Sequence, residues 1–300
     1  MDMSAGVIGI GKLGLALVKS FQKHDIFSFA VSGSKMKSDD LKKALGKDFR
    51  ILNHINEIDI FPQLLFITVP DIKLKDIADE IAILFPNKLK NTIVVHCSGF
   101  LGIDVFHSLA KFVKSTASLH PYQTFYHAHD DVFDNVGWMA DCDEKIKPFL
   151  SELVKKMNGT ITFADDISEF NRDQYHLSAV FASNYPASSL RFATRCAVLS
   201  GINPEIFIPK ISRTTLQNTF IDYKTGNKVF ALTGPIARGD IEAVSRHISA
   251  LKDNITELKG YVLIGLATCE LSYAERNLTT EQYESLKKLF LSEINELYSI

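Results

Sequence analysis

Ser4-Ala-Gly-Val-Ile-Gly-Ile-Gly-Lys-Leu-Gly-Leu-Ala-Leu-Val18 is the stretch on which the reading of this chain turns. Val7, Ile8 and Ile10 form a short apolar run, as a strand buried on both faces does. Gly9, Gly11 and Gly14 follow with G-x-G-x-x-G spacing, and Leu13, Leu15, Ala16, Leu17 and Val18 open a helical apolar face. Strand, glycine turn and helix in this order cradle a diphosphate. Gly9 lets the chain leave the strand sharply. Gly11 has no side chain to keep an anion from the backbone. Gly14 lets helix and strand pack closely, and the helix N-terminus offers free N–H groups. Gly9, Ile10, Gly11, Lys12, Leu13 and Gly14 are therefore candidate dinucleotide-binding residues. The bland alternative is a tight strand–helix turn that binds nothing.

The second strand, Phe27-Ser-Phe-Ala-Val-Ser32, bears on which dinucleotide. An NAD site usually carries Asp or Glu about 20 residues past the glycines, for the ribose 2′-OH. Ser32-Gly-Ser-Lys-Met-Lys37 stands here instead. Ser32, Ser34 and Lys35, with Lys37, supply hydroxyl and ammonium donors for a 2′-phosphate. NADP is expected, with NAD left open, and a solvated lysine loop is the alternative.

Alternation continues beyond this point. Strands are expected at 49–52, 64–69, 92–98 and 115–120, with shorter ones at 138–140 and 160–164. Helices are expected between them near 77–84, at 103–112 and at 145–157. Such alternation predicts an α/β fold with a doubly wound, mostly parallel sheet, whose ligands bind beyond the strands' carboxyl ends. Those ends add Val69, Pro70 and His96 to the cofactor-binding candidates. From residue 165 only helices are expected, so the domains are read as 1–164 and 165–300. Pro186 is expected to kink or break a long helix over 175–199 near Asn184. Shorter helices are expected at 203–212, at 241–258 behind an Asp240 N-cap, and at 260–277. Thr279-x-x-Gln282 reads as a capping box opening a last helix to about 298.

Bulk properties exclude several classes. With 300 residues, 46% hydrophobic and 23% charged, the chain can bury two cores. A formal net charge of −2 argues against nucleic-acid and anionic-membrane partners. Cys97, Cys142, Cys196 and Cys269 form no C-x-x-C pair and read as reduced thiols of a cytoplasmic protein. The N-terminus lacks a basic segment, carries Asp2 and has its apolar run broken by glycine, so it reads as mature sequence. The apolar run 261–269 is too short to span a bilayer.

Six stretches carry a family resemblance: Gly9-Ile-Gly-Lys-Leu-Gly14, Val69-Pro-Asp71, His96-Cys-Ser-Gly99, Ser118-Leu-His-Pro-Tyr-Gln-Thr-Phe125, Tyr175-His176 with Asn184, and Leu232-Thr-Gly-Pro-Ile-Ala-Arg-Gly-Asp240. On these the chain resembles the two-domain Rossmann-like oxidoreductases of the 6-phosphogluconate dehydrogenase-like superfamily. It is most similar to a family joining a Rossmann-like domain to a helical domain of unknown function. The resemblance implies NAD(P)H binding, hydride transfer and a helical second domain that often dimerises. It supplies no substrate. More distant relatives act on pyrroline-carboxylate imines, β-hydroxy acids, prephenate or a deazaflavin.

Candidate chemistry follows. Hydride transfer to a carbonyl needs a group that gives or takes one proton, and histidine suits this near neutral pH. His120 stands at a strand's carboxyl end before Pro121. The prephenate-type relatives have a similar His-Pro, whose histidine contacts the reacting hydroxyl. Ser98 and His96 flank Cys97 at the neighbouring strand end, where Cys97 is expected to pack rather than react. His176 and Asn184 lie on the first long helix of the second domain. The hydroxy-acid dehydrogenases of the superfamily carry Lys-x-x-x-Asn there, and this chain has Val180 at the lysine position. His120, Ser98, Asn184 and His176 are the catalytic candidates, and Arg238 is a candidate clamp for a substrate carboxylate. The structural alternatives are a turn-ordering His120, a kink-bonded Asn184, an interface His176 and an ion-paired Arg238. His127 and His129, near Asp130 and Asp131, lack the spacing of a metal site, so no metal is expected.

The expected protein is an NADP(H)-dependent oxidoreductase of a small carbonyl, imine or hydroxy acid held in the interdomain cleft. The alternatives are a non-catalytic NADPH-binding sensor and hydride exchange with a deazaflavin. A homodimer through the helical domain is expected, because 260–274 is apolar on more faces than one helix covers.

Overall fold

The computed structural model describes residues 3–33, 39–42, 45, 49–125, 132–225 and 232–299. The chain forms two compact units, 1–181 and 182–300.

In the first unit eight strands form one sheet: β1 (Ala5–Ile8), β2 (Phe27–Val31), β3 (Ile51–Leu52), β4 (Leu64–Ile67), β5 (Ile93–His96), β6 (Ser115–Pro121), β7 (Gly137–Cys142) and β8 (Thr160–Phe163). Their spatial order is β3-β2-β1-β4-β5-β6-β7-β8. The first six are parallel neighbours. β7 runs antiparallel to β6, and β8 lies parallel to β7. The order of the first six strands is that of the dinucleotide-binding sheet, and it reverses between β1 and β4.

β1, β4 and β5 are buried along their whole length. Their alternate residues feed two cores, as a pleated strand requires. Ala5, Val7, Leu64, Phe66, Ile93 and Val95 enter one core. Ile8, Leu65, Ile67 and Val94 enter the other. Helices α1 (Lys12–Lys23) and α3 (Lys147–Lys156) cover the first face; α2 (Asp71–Leu84) covers the second.

Two expected helices take other forms. The stretch expected at 103–112 is a single 3-10 turn, Ile103–Phe106, followed by turns. Phe106 and Leu109 reach the core at i, i+3 spacing, which a 3-10 turn satisfies as well as an α-helix. The helix expected at 241–258 ends early as α6 (Ile241–Ala250), and α7 (Ile255–Ala274) starts ahead of Gly260. Gly260 does not open that helix but lies inside it, against Phe192.

The long helix α4 (Arg172–Leu199) is continuous through Pro186, so of the expected kink or break the break does not occur. A proline costs the ladder one N–H donor, and the long helix on either side retains its own bonds. The boundary between the two units falls inside α4. The second unit continues with α5 (Pro204–Thr225), which is longer than expected, and closes with α8 (Thr280–Tyr298). Asp240 caps α6 by accepting the Ala243 N–H at 3.0 Å. The Thr279–Gln282 capping box is present in full. Val244, Leu258, Val262, Leu286 and Phe290 form the core of this unit. Among the described residues no helix is long and apolar enough to cross a membrane.

The three glycines of the first turn have three different surroundings. Gly9 has φ +95°, and a Cβ there would lie 2.7 Å from Val69 Cγ1. At Gly14 a Cβ would lie 2.1 Å from the Gly9 carbonyl oxygen. Gly11, the N-cap of α1, would meet nothing within 4 Å. We expect Gly14→Ala to destabilise the protein by about 3 kcal/mol in urea melts, because α1 must move off β1. Gly11→Ala is expected to change stability by less than about 0.5 kcal/mol.

Candidate functional site

Parallel strands deliver their following loops to one edge of the sheet. The β1–α1 turn, the β2 exit, the β4–α2 junction, the β5 exit and the end of β6 all lie there. The cofactor candidates Gly9, Ile10, Gly11, Lys12, Leu13 and Gly14 make the first of these loops. Gly11 and Lys12 are exposed, Leu13 is half-buried, and Ile10 and Gly14 are buried. The first turn of α1 carries no acidic side chain, and Gly11 has none to cap it. A diphosphate fits here, since the open position over Gly11 adjoins a helix N-terminus. Ser32 follows β2 with no carboxylate beside it, and its hydroxyl donates to the Leu52 carbonyl at 3.2 Å. Ser34, Lys35 and Lys37 lie outside the described residues, as do His127, His129, Asp130 and Asp131. Val69 packs beneath Gly9, and Pro70 is the N-cap of α2.

The β5 exit is a closed hydrogen-bond system. His96 is fully buried. Its Nε2 lies 3.1 Å from the Gly102 carbonyl, and its Nδ1 accepts the Ser98 N–H at 3.2 Å. An acceptor beyond Nε2 and a donor beyond Nδ1 fix the neutral Nε2–H tautomer. Burial pushes the His96 pKa down to about 4, against its ordinary value of 6.5. The Ser98 hydroxyl donates to Asp71 Oδ2 at 2.7 Å and accepts the N–H groups of Phe100 and Leu101 at 3.1 and 3.0 Å. Both side chains are spent on shaping the 96–102 loop and on holding the Asp71 carboxylate at the start of α2. Cys97 is buried, and burial raises its thiol pKa, so it packs as expected.

His120 ends β6 in a different state. Its Nδ1 meets the Tyr175 hydroxyl in a short hydrogen bond. The two rings stand edge to face, with centroids 5.6 Å apart. Its other edge lies over Gly99, where a Cβ would come within 2.9 Å of both Cε1 and Nε2. The absent side chain of Gly99 is what allows this approach. Among the described residues His120 Nε2 has no hydrogen-bond partner. Burial pushes the His120 pKa down to about 4, helped by the nearby His176 and Arg172 and opposed by Asp71. Both histidine rings at this edge are therefore neutral near pH 7.

Tyr175 escaped the sequence-level choice of site residues. It lies 55 residues from His120, in the first turn of α4. Phe170 and Tyr122 pack around it, with ring centroids 5.7 and 6.2 Å away. Arg172, on the same turn, is ion-paired with Asp141 of β7. His176 stands next along the helix, its ring 5.9 Å from that of Phe100. The Tyr-His pair among the family stretches was the one available signal.

His96, Ser98, His120 and His176 thus belong to the first unit. Asn184 and Arg238 belong to the second. Both are exposed. Asn184 Oδ1 accepts the Ser183 hydroxyl at 2.8 Å. The Arg238 carbonyl accepts Gln282 Nε2 at 3.3 Å, which ties the 234–240 turn to the capping box.

The depressed histidine pKa values make stability depend on pH. The unfolded chain takes up protons near pH 6.5 at His96 and His120, and the folded chain only near pH 4. Their contribution is therefore complete above pH 6.5 and is lost as pH falls toward 4. Urea unfolding is expected to show a loss of about 5 kcal/mol between pH 7 and pH 4.5, with about half that loss in His120→Asn.

Comparison with known proteins agrees with this architecture. Residues 1–121 match a Rossmann-like domain, and residues 136–268 match a domain of unknown function, DUF2520. No curated protein sequence matches the chain. A candidate NADP oxidoreductase from Bacteroides fragilis is 18% identical, covering 89% of this chain and 97% of its own, with a TM-score of 0.73. An imine reductase from Streptomyces aurantiacus is 12% identical, covering 96% and 99%, with a TM-score of 0.61. A pyrroline carboxylate reductase from Plasmodium falciparum, solved with NADP bound, is 13% identical, covering 97% and 98%, with a TM-score of 0.56. At these identities the likeness is one of fold. The chain is a Rossmann-like domain followed by a DUF2520 domain.

Proposed function

We propose that this protein is an NADP(H)-dependent oxidoreductase of a small carbonyl, imine or hydroxy-acid substrate. One observation carries the reading. The edge of the sheet that holds an open glycine cradle also holds a neutral histidine with one unengaged ring nitrogen. The solved relatives of this fold named as NADP oxidoreductase, imine reductase and pyrroline carboxylate reductase support it.

When bound, the nicotinamide supplies or accepts the hydride. In the proposal the N–H groups at the start of α1 and the bare backbone of Gly11 hold the diphosphate. Ile10, Lys12 and Leu13 frame the turn, while Val69 and Pro70 border it. Ser32, Ser34 and Lys35 take the 2′-phosphate. His120 holds the transferable proton at Nε2, facing the substrate oxygen or nitrogen. His96 and Ser98 keep the loop beneath it in shape. His176, Asn184 and Arg238 position the substrate.

Calorimetry on the purified protein tests the cofactor. We expect NADPH to bind, and Gly11→Ala to weaken it at least tenfold, or about 1.4 kcal/mol, with unchanged melting. Lys35→Ala is expected to weaken NADPH and leave NADH alone. Failure to bind either dinucleotide at millimolar concentration removes the oxidoreductase reading. NADPH oxidation against 2-keto acids, aldehydes and cyclic imines then locates the substrate. Binding without turnover by any of them favours the sensor.

We also propose that the second unit is covered by a second copy of the chain. No residue of α5 is buried among those described. Ile206, Phe207, Ile211, Phe220 and Ile221 are each at least 41% exposed. Such a row on one helix suits an interface better than a solvent face, which supports the proposal. Sedimentation is expected to show a dimer, and a double variant Ile211→Asp, Phe220→Asp to give monomer. A wild-type monomer at micromolar concentration contradicts the assignment.

A further inference from the structure

We propose that Tyr175 is a positioning residue that holds His120 in the tautomer carrying its proton on Nε2. The proposal rests on the reading of His120 as the proton-handling group.

A neutral imidazole carries one hydrogen and offers one acceptor nitrogen. Which nitrogen is which decides what the ring can do. With hydrogen on Nε2 it donates to a carbonyl oxygen, and with hydrogen on Nδ1 its free Nε2 only accepts. The neighbour of Nδ1 makes the choice, and that neighbour is the Tyr175 hydroxyl.

A phenol O–H is a good donor and a poor acceptor. If Tyr175 donates to Nδ1, both groups are satisfied and Nε2 keeps the hydrogen. If Nδ1–H donates instead, the phenol hydrogen must find another acceptor. Among the described residues the Tyr175 hydroxyl has no other hydrogen-bond partner; its remaining neighbours are the rings of Phe170 and Tyr122. Leaving that hydrogen bond unmade in a half-buried position is costly, which selects the first arrangement.

The charges around the pair leave it neutral. Burial, His176 and Arg172 outweigh Asp71 at His120. Burial and Tyr122 raise the Tyr175 pKa, opposed by Arg172. Phenol and imidazole therefore both keep their neutral forms through the physiological range. Gly99 under the Cε1–Nε2 edge and Tyr175 at Nδ1 fix the ring's position, and among the described residues Nε2 has no hydrogen-bond partner. The result is a neutral hydrogen-bond donor of fixed direction, which can polarise a substrate without first being charged.

Long-range 1H–15N NMR of the 15N-labelled, ligand-free protein between pH 6 and 8 reads the tautomer directly. The His120 signals are identified by their loss in His120→Gln. Expected are an unprotonated Nδ1 shift and a protonated Nε2 shift. In Tyr175→Phe, which keeps the ring packing, both shifts move toward the average of the two tautomers. A protonated Nδ1 in the wild type overturns the assignment, and so does a Tyr175→Phe spectrum identical to it. Turnover is tested separately, by NADPH oxidation with the panel of 2-keto acids, aldehydes and cyclic imines. Full turnover by His120→Gln with the expected spectra removes the catalytic reading and leaves the Tyr175 assignment standing. Inactive His120→Gln with unmoved Tyr175→Phe spectra removes only the Tyr175 assignment.

Discussion

The Gly9 carbonyl is the point on which the first unit is built. It accepts the Thr68 hydroxyl at 2.6 Å, and the Gly14 backbone lies against it too closely for any side chain. The Gly9 N–H donates to Val31 at 3.1 Å, and the Thr68 N–H donates to Ile8 at 2.8 Å. The two peptide groups flanking Gly9 thus tie the ends of β1, β2 and β4 to the start of α1. The sheet order reverses at this place. The helix N-terminus is consequently aimed along the same edge at which β5 and β6 end. A side chain at Gly14 would move α1 off β1 and turn that N-terminus away.

Legibility followed how local each interaction is. The β1–α1 turn could be read because its three glycines lie within six residues and each has a local reason. The capping box at Thr279–Gln282 and the Asp240 cap are local in the same way. Buried strands were legible from apolar runs, but the direction of β7 was not. Its pairing with β6 follows from a long connection whose length constrains it little. The expected helix at 103–112 failed for another reason. An i, i+3 pair of core residues is common to α and 3-10 geometry, and periodicity cannot separate them.

The candidate site divides along the same line. Cys97 was read as packing, and burial agrees. His96 and Ser98 are candidates because they end a strand at the binding edge. Their side chains bond to Gly102, Asp71, Phe100 and Leu101. Sequence position places a residue at an edge and does not say which way its polar atoms are spent. Tyr175 is the converse case. Its place beside His176 in one family stretch is the one local mark it has, and its partner comes from the sheet. Only the fold brings the two together.

The absence of a lysine four residues before Asn184 now has a physical setting. A protonated lysine at the position of Val180 would add a positive charge to the chain segment that already carries Arg172 and His176. At His120 those two already act against protonation, and Asp71 alone favours it. In the proposed reading, proton handling falls to a group that is neutral when it starts. A neutral imidazole is a weak acid, so its use depends on direction, not on charge. Direction is what the surroundings supply, since Gly99 admits the ring, Tyr175 engages Nδ1, and Asp71 is held off by Ser98.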